Sequence, residues 1–221
     1  MKYSVLLFDL DGTLLDTLTD LHLAVNHALR AFSYPERTYD EVRLFVGNGI
    51  KKLIERAVPA GTSEEDTARV LDAFRAFYAE HSRDNTAPYP GVDDALRRLA
   101  DDGYRMAIIS NKVDFAVKEL SREFFSAHIS VAIGDREGKN KKPAPDSLFE
   151  AMAELGVTKE DCLYIGDYDV DVETAKNAGI PCIGCAWGFR GRAFLREHGL
   201  DDTWILEQPS DLVGFLKEIN E

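Results

Sequence analysis

The chain has 221 residues, 45% of them hydrophobic and 29% charged, and its 39 acidic side chains against 26 basic ones give a formal charge of −13. That length carries one large domain, or a core with a smaller inserted one. So negative a balance excludes a general nucleic-acid or anionic-membrane binder, which needs a basic face, but it leaves room for a small anionic ligand, because salt screens the global field beyond ~8–10 Å.

No stretch approaches the ~20 apolar residues that span a bilayer. No secretory leader is read at the start, where Lys2 precedes only a short apolar run with aspartates behind it. Three cysteines are an odd number and make no disulfide framework, so a reducing, cytoplasmic setting is expected. Cys182 and Cys185 have CxxC spacing. They fall in a segment that reads as a strand, with no second pair for zinc, and are expected to be small apolar residues. The five histidines show no metal-ligand clustering and are read as structural.

In chain order, residues 3–8 (YSVLLF) read as a buried strand that stops at Asp9 and Asp11, followed at once by Gly12 and Thr13. Residues 17–83 read as entirely helical. Leu18, Leu21, Val25, Ala28, Leu29 and Phe32 recur at helical spacing, with Asp16 as the expected N-cap. Thr38 and Glu41 fit a capping box. GNGI (residues 47–50) breaks the following helix and KKLIERAV resumes it. Residues 64–81 form another helix, with Val70, Leu71, Phe74, Phe77 and Tyr78 on its apolar side.

From Tyr89-Pro90-Gly91 onward the pattern alternates. Helices at VDDALRRLADD, VDFAVKELSREF, PDSLFEAMAELG and VETAKNAG precede strands at YRMAIIS, ISVAIG, CLYIGD and PCIGCAW. TWILE is a last strand, and a last helix starts near Ser210. Such alternation predicts an α/β fold, a Rossmann-like three-layer core whose parallel sheet is covered by helices on both faces. The expected division is 1–15 with 86–221 as the α/β core, and 16–85 as a helical insertion.

Ligands of such sheets bind at the carboxyl ends of the strands. Four strand ends carry polar groups: Asp9 and Asp11; Ser110, Asn111 and Lys112; a loop with Lys141, Lys142 and Pro143; and Gly166-Asp167 with Asp169 and Asp171 behind it. Converging carboxylates repel one another and raise each other's pKa. A divalent cation removes the conflict. Oxygen ligands without His or Cys favour a hard ion, with Mg²⁺ the usual choice beside phosphate. A lysine and a hydroxyl next to an acidic metal site suit a phosphate. Phosphoryl transfer then needs an in-line nucleophile and an acid for the leaving group. Asp9 is the expected nucleophile and a metal ligand. Asp11 is the expected general acid/base, its backbone carbonyl reaching the metal, and Gly12 lets the backbone turn tightly beside the phosphate.

DLDGT, IISN, KKP and IGDYDVD, in this order, resemble the motifs of the haloacid dehalogenase superfamily, and the resemblance spans essentially the whole chain. It implies that Asp9 is phosphorylated, that Asp11 is acid/base, that Ser110, with Asn111, binds phosphate, and that Lys142 steadies nucleophile and phosphate. It gives Asp167 and Asp171 to Mg²⁺ with Asp9 and Asp11, and makes the helical insertion a cap. An aspartate nucleophile followed by DGT implies phosphatases rather than dehalogenases. The pieces LTDLHLAVNHAL, VRLFVGNGIKKLIERAV and AWGFRGR resemble the phosphoglycolate phosphatases, which implies that Gly47, Asn48 and Gly49 read the substrate. Tyr168 departs from the pattern, which usually has Ser or Thr there.

The expected function is thus a Mg²⁺-dependent phosphomonoesterase acting on a small phosphorylated metabolite, 2-phosphoglycolate first, as a monomer or homodimer with neither nucleic acid nor membrane as partner. The alternatives are a pyrophosphatase, a sugar-phosphate phosphatase or β-phosphoglucomutase of the same chemistry, and a non-catalytic phospho-acceptor or binding module. Arg190 and Arg192 are candidates for a second substrate charge, weighed against a surface role.

Overall fold

A computed structural model describes all 221 residues. In chain order the elements are β1 (Val5–Phe8), β2 (Leu15–Asp16), α1 (Leu18–Ala31), α2 (Tyr39–Phe45), α3 (Ile50–Ala57), α4 (Glu64–His81), β3 (Ala87–Pro88), α5 (Val92–Asp101), β4 (Arg105–Val113), α6 (Asp114–Phe125), β5 (Val131–Asp135), α7 (Asp146–Leu155), β6 (Cys162–Gly166), α8 (Asp169–Ala178), β7 (Cys182–Cys185), α9 (Gly191–Glu197), β8 (Ile205–Leu206) and α10 (Asp211–Asn220). The chain divides into two compact units, Met1–Leu15 with Pro88–Glu221, and Asp16–Ala87. No helix is long and apolar enough to cross a membrane.

The first unit holds a six-stranded sheet in the order β5-β4-β1-β6-β7-β8, and its paired strands run parallel. Alternate side chains of one strand face opposite sides of a sheet, so a parallel strand buried on both sides reads as a continuous apolar run. VLLF of β1 does so. Leu6 and Phe8 join Met106, Ile108, Leu163 and Ile165 in a core roofed by α5, α6 and α10. Val5 and Leu7 join Ala107, Ile109 and Tyr164 in the opposite core, roofed by α7 and α8. Each fully buried Leu, Ile or Phe adds about 1.5–3 kcal/mol relative to exposure. Cys182 and Cys185 are buried in β7, and all three cysteines are free thiols.

Strand order fixes where chemistry can sit. The chain winds outward from β1 in one direction through β4 and β5, then reverses to β6, β7 and β8. The crevice at that reversal lies at the carboxyl ends of β1 and its neighbours, the ligand-binding point of doubly wound sheets. β4 runs three residues past the expected end at Ser110, with a register shift between Ile109 and Val113. Ser110 and Asn111 are therefore strand residues and not a helix cap.

The second unit is built from α1–α4. Leu18, Leu21, Val25, Ala28 and Leu29 of α1 and Val70, Leu71 and Phe74 of α4 are buried. Phe77 is half-buried and is stacked between His27 and His81, at 4.0 and 4.2 Å. Thr38 and Glu41 form the capping box. The N-cap of α1 is Thr17, one residue later than expected, although Asp16 Oδ1 still accepts the Leu18 amide at 3.1 Å. A buried carboxylate, Asp20, ties the two ends of this unit together. It accepts from both nitrogens of Asn85 and from the amide and hydroxyl of Thr86, at 2.8–3.1 Å.

Candidate active site

The Asp9 amide donates to the Ile165 carbonyl at 2.8 Å, extending the β1–β6 ladder one residue past Phe8. Asp9 thus stands beside the end of β6, where Gly166 and Asp167 follow. Asp171 lies in the first turn of α8, and its Oδ2 accepts the Tyr168 amide at 3.1 Å. Asp9, Asp167 and Asp171 are all buried, and one carboxylate oxygen from each can be chosen so that all three lie within 4.8 Å of one another.

Lys142, from the loop after β5, enters this cluster. Its Nζ donates to Asp9 Oδ1 at 2.6 Å, to Asp171 Oδ1 at 2.7 Å and to the Tyr164 hydroxyl at 3.0 Å, and its side chain is 4% exposed. Burial opposes its charge, but Asp171 and Asp9 outweigh burial and hold the ammonium above the ordinary lysine range. One ammonium against three carboxylates leaves an excess of negative charge in a dry place. Burial pushes Asp9 up to about 7, Asp171 adds to that rise, and Lys142 offsets part of it. Burial, then the charges of Asp171 and Asp9, hold Asp167 well above the usual carboxylate range. Raised carboxyls that face one another are what a hard dication relieves, and this cluster offers carboxylate oxygen alone.

Asp11 is outside the cluster. Its carboxylate is paired with Lys112, Nζ to Oδ1 at 3.0 Å, yet it is close enough to Asp9 to raise that group's pKa. Gly12 has φ +89°, and a Cβ there would lie 2.5 Å from Asp167 Oδ2. The close approach it permits is therefore to a carboxylate. The Ser110 hydroxyl oxygen accepts the Lys112 amide at 3.1 Å. Asn111 clasps the backbone of Lys142, accepting its N–H at 2.9 Å and donating to its carbonyl at 3.1 Å. What the Asn111 amide holds in this structure is the lysine loop. Asp169 accepts only the neighbouring Val170 amide. Gly47, Asn48 and Gly49 join α2 to α3 in the second unit, where Asn48 Oδ1 accepts from Arg56 at 2.7 Å.

Tyr168, the departure from the usual pattern, is buried, with the Arg190 guanidinium 4.4 Å over its ring and bonded to its hydroxyl. Arg192 is spent on Glu207 and on the carbonyls of Asp202 and Ile205. Sequence reasoning passed over four contributors. Tyr164 donates to Asp171 Oδ1 at 3.0 Å while accepting from Lys142. The Phe189 amide donates to Asp167 Oδ2 at 2.8 Å, and Thr13 Oγ1 donates to Asp167 Oδ1 at 3.3 Å. Gly188 has no room for a Cβ, which would lie 2.3 Å from the Asp167 Cβ. Thr13 had a signal in its place in DLDGT, and Gly188 and Phe189 lie in AWGFRGR, whose part in holding Asp167 the sequence does not state. Tyr164 is brought in by the fold.

Comparison with known proteins agrees with this geometry. The family model described as haloacid dehalogenase-like hydrolase matches residues 6–185. The phosphoglycolate phosphatase of Aquifex aeolicus is 31% identical over 217 residues, 96% of each chain. Phosphoglycolate phosphatase 1 of Pseudomonas aeruginosa is 36% identical over 95% of this chain and 78% of its own. A crystal structure from Lactobacillus delbrueckii subsp. bulgaricus, provisionally named a phosphoglycolate phosphatase, has a TM-score of 0.90 and 32% identity, over 96% of this chain and 97% of that one. The chain belongs to the haloacid dehalogenase-like hydrolases and is an enzyme of their phosphatase type.

Proposed function

We propose that this chain is a Mg²⁺-dependent phosphomonoester hydrolase with 2-phosphoglycolate as its first substrate, acting in the cytoplasm through an aspartyl-phosphate on Asp9. The observation that carries the chemistry is the buried cluster of Asp9, Asp167 and Asp171, with the ammonium of Lys142 between Asp9 and Asp171. In this reading those three aspartates hold Mg²⁺, with the Asp11 carbonyl, and the ion would neutralise charge on the phosphate oxygens. An Asp9 oxygen attacks phosphorus and the phosphorus–ester oxygen bond breaks. Asp11 gives its proton to the leaving oxygen, which departs as a neutral hydroxyl. Asp11 then takes a proton from water, whose oxygen attacks the acyl-phosphate. Inorganic phosphate leaves and the Asp9 carboxylate is restored. Lys142 favours the ionised form of Asp9 and aligns it, Asn111 and Tyr164 hold Lys142 in place, and the Ser110 hydroxyl donates to the phosphate.

The choice of 2-phosphoglycolate is supported by the names of relatives at 31–37% identity. The loop of Gly47, Asn48 and Gly49 is carried in this reading as a candidate for recognising the rest of the substrate. The test is phosphate release from a panel of small phosphomonoesters and pyrophosphate, with Mg²⁺ and with EDTA. The expected result is 2-phosphoglycolate at least about tenfold above the others in kcat/KM, abolished by EDTA. Broad metal-dependent activity would overturn the substrate. Activity that survives EDTA would overturn the metal.

A further inference from the structure

Lys112 is absorbed by none of the roles above. It sits near the end of β4, two residues beyond Ser110, and Ser110 Oγ accepts its amide. Its ammonium is 3.0 Å from Asp11 Oδ1, and the two side chains are only 10% and 18% exposed. A lysine that merely solvates a surface does not bury its head against one particular aspartate.

The partner says which end of a substrate this cation faces. Asp9 and Lys142 deal with phosphorus, whereas Asp11 deals with the ester oxygen on the leaving-group side. In 2-phosphoglycolate that oxygen carries a CH₂ and then a carboxylate, two bonds away. A group holding the shoulder of Asp11 is therefore within reach of that carboxylate. An ammonium has three donors and can serve Asp11 and a second anion together. The other cations at these strand ends are engaged elsewhere: Lys141 with Asp135, Arg136 with Glu150, Arg190 on Tyr168 and Arg192 on Glu207 and Asp202. A carboxylate entering so enclosed a place without a cation would carry a large desolvation cost.

We propose that Lys112 is a specificity-determining residue whose ammonium receives the carboxylate of the substrate's leaving group. This rests on the phosphatase reading above and deepens it. The enzyme then selects phosphomonoesters of short hydroxy acids over neutral phosphomonoesters, and does so from the α/β unit itself.

The test compares 2-phosphoglycolate with 2-phosphoglycolamide, which replaces the carboxylate with an uncharged group of similar shape, in the wild type and in Lys112→Met and Lys112→Arg. The wild type is expected to favour 2-phosphoglycolate by about 30-fold or more in kcat/KM. Lys112→Met is expected to collapse that ratio to within about threefold, the KM for 2-phosphoglycolate rising more than that for the amide, on top of any loss that unpairing Asp11 imposes on both compounds. Lys112→Arg keeps part of the preference, because it keeps the charge. Wild-type selectivity needs no variant, so a misfolded mutant does not decide the matter. Equal losses on both compounds, or a ratio untouched by Lys112→Met, would overturn the proposal alone. A wild type that hydrolyses neither compound overturns the substrate reading and this proposal with it.

Discussion

Both units of this protein bury carboxylates, and they treat them in opposite ways. In the helical unit, Asp20 accepts from four neutral donors, two of them backbone amides, and so closes the ends of the insertion on each other. In the α/β unit, Asp9 and Asp171 share one ammonium, and burial together with the charge of Asp171 raises the proton affinity of both Asp9 and Asp167. A buried acid that serves structure has its lone pairs saturated by fixed donors. A buried acid that serves chemistry is left short of compensation, and a ligand supplies the remainder. The first arrangement lowers the energy of the folded chain. The second raises it at one point, in exchange for a site.

The sharpest way to separate the two is Asp9→Asn. It removes the proposed nucleophile and is expected to lower kcat by at least about a thousandfold. It also removes one of three crowded charges, so the metal-free protein should melt no lower than the wild type. A variant that keeps turnover breaks the assignment of Asp9. One that loses turnover and also melts far lower breaks the contrast.

Asp20→Ala is the reciprocal experiment. It strands buried donors at Asn85 and Thr86, at a cost of about 3 kcal/mol in urea unfolding. A loss below about 1 kcal/mol would mean that water replaces the carboxylate and that Asp20 is no structural tie.

The third prediction concerns pH. Asp9 ionises near its ordinary 3.8 when unfolded and at about 7 when folded. The folded chain therefore binds more protons in that window. The stability this group leaves intact below about pH 4 is lost as pH rises through 7. Metal-free protein should lose about 2 kcal/mol from this group between pH 5 and 7. Mg²⁺ should raise Tm more at pH 8 than at pH 5, because deprotonated ligands bind it. A Mg²⁺ effect that is the same at both pH values would sink the account of the acidic cluster.

Much of this was legible in the chain itself. Continuous apolar runs such as VLLF and helical spacing such as that of α1 are local consequences of burial, so the α/β alternation and the helical insertion could be read directly. The acidic and basic strand ends could be read too, because strand-to-helix alternation says which ends of the strands face one another's loops. Tyr164 could not, since a tyrosine inside an apolar strand reads as packing until the fold aims its hydroxyl at Lys142 and Asp171. Nor could the part played by Asn111, whose side chain finds a backbone 31 residues away. The sequence alone determined the residue types and their order along the sheet, because both follow from local periodicity and covalent order. Only the tertiary structure decided how charge is distributed among them. That Lys142 goes to Asp9 and Asp171, Lys112 to Asp11 and the Phe189 amide to Asp167 depends on ångström distances between segments far apart in the chain, and electrostatics in a buried site turns on those distances.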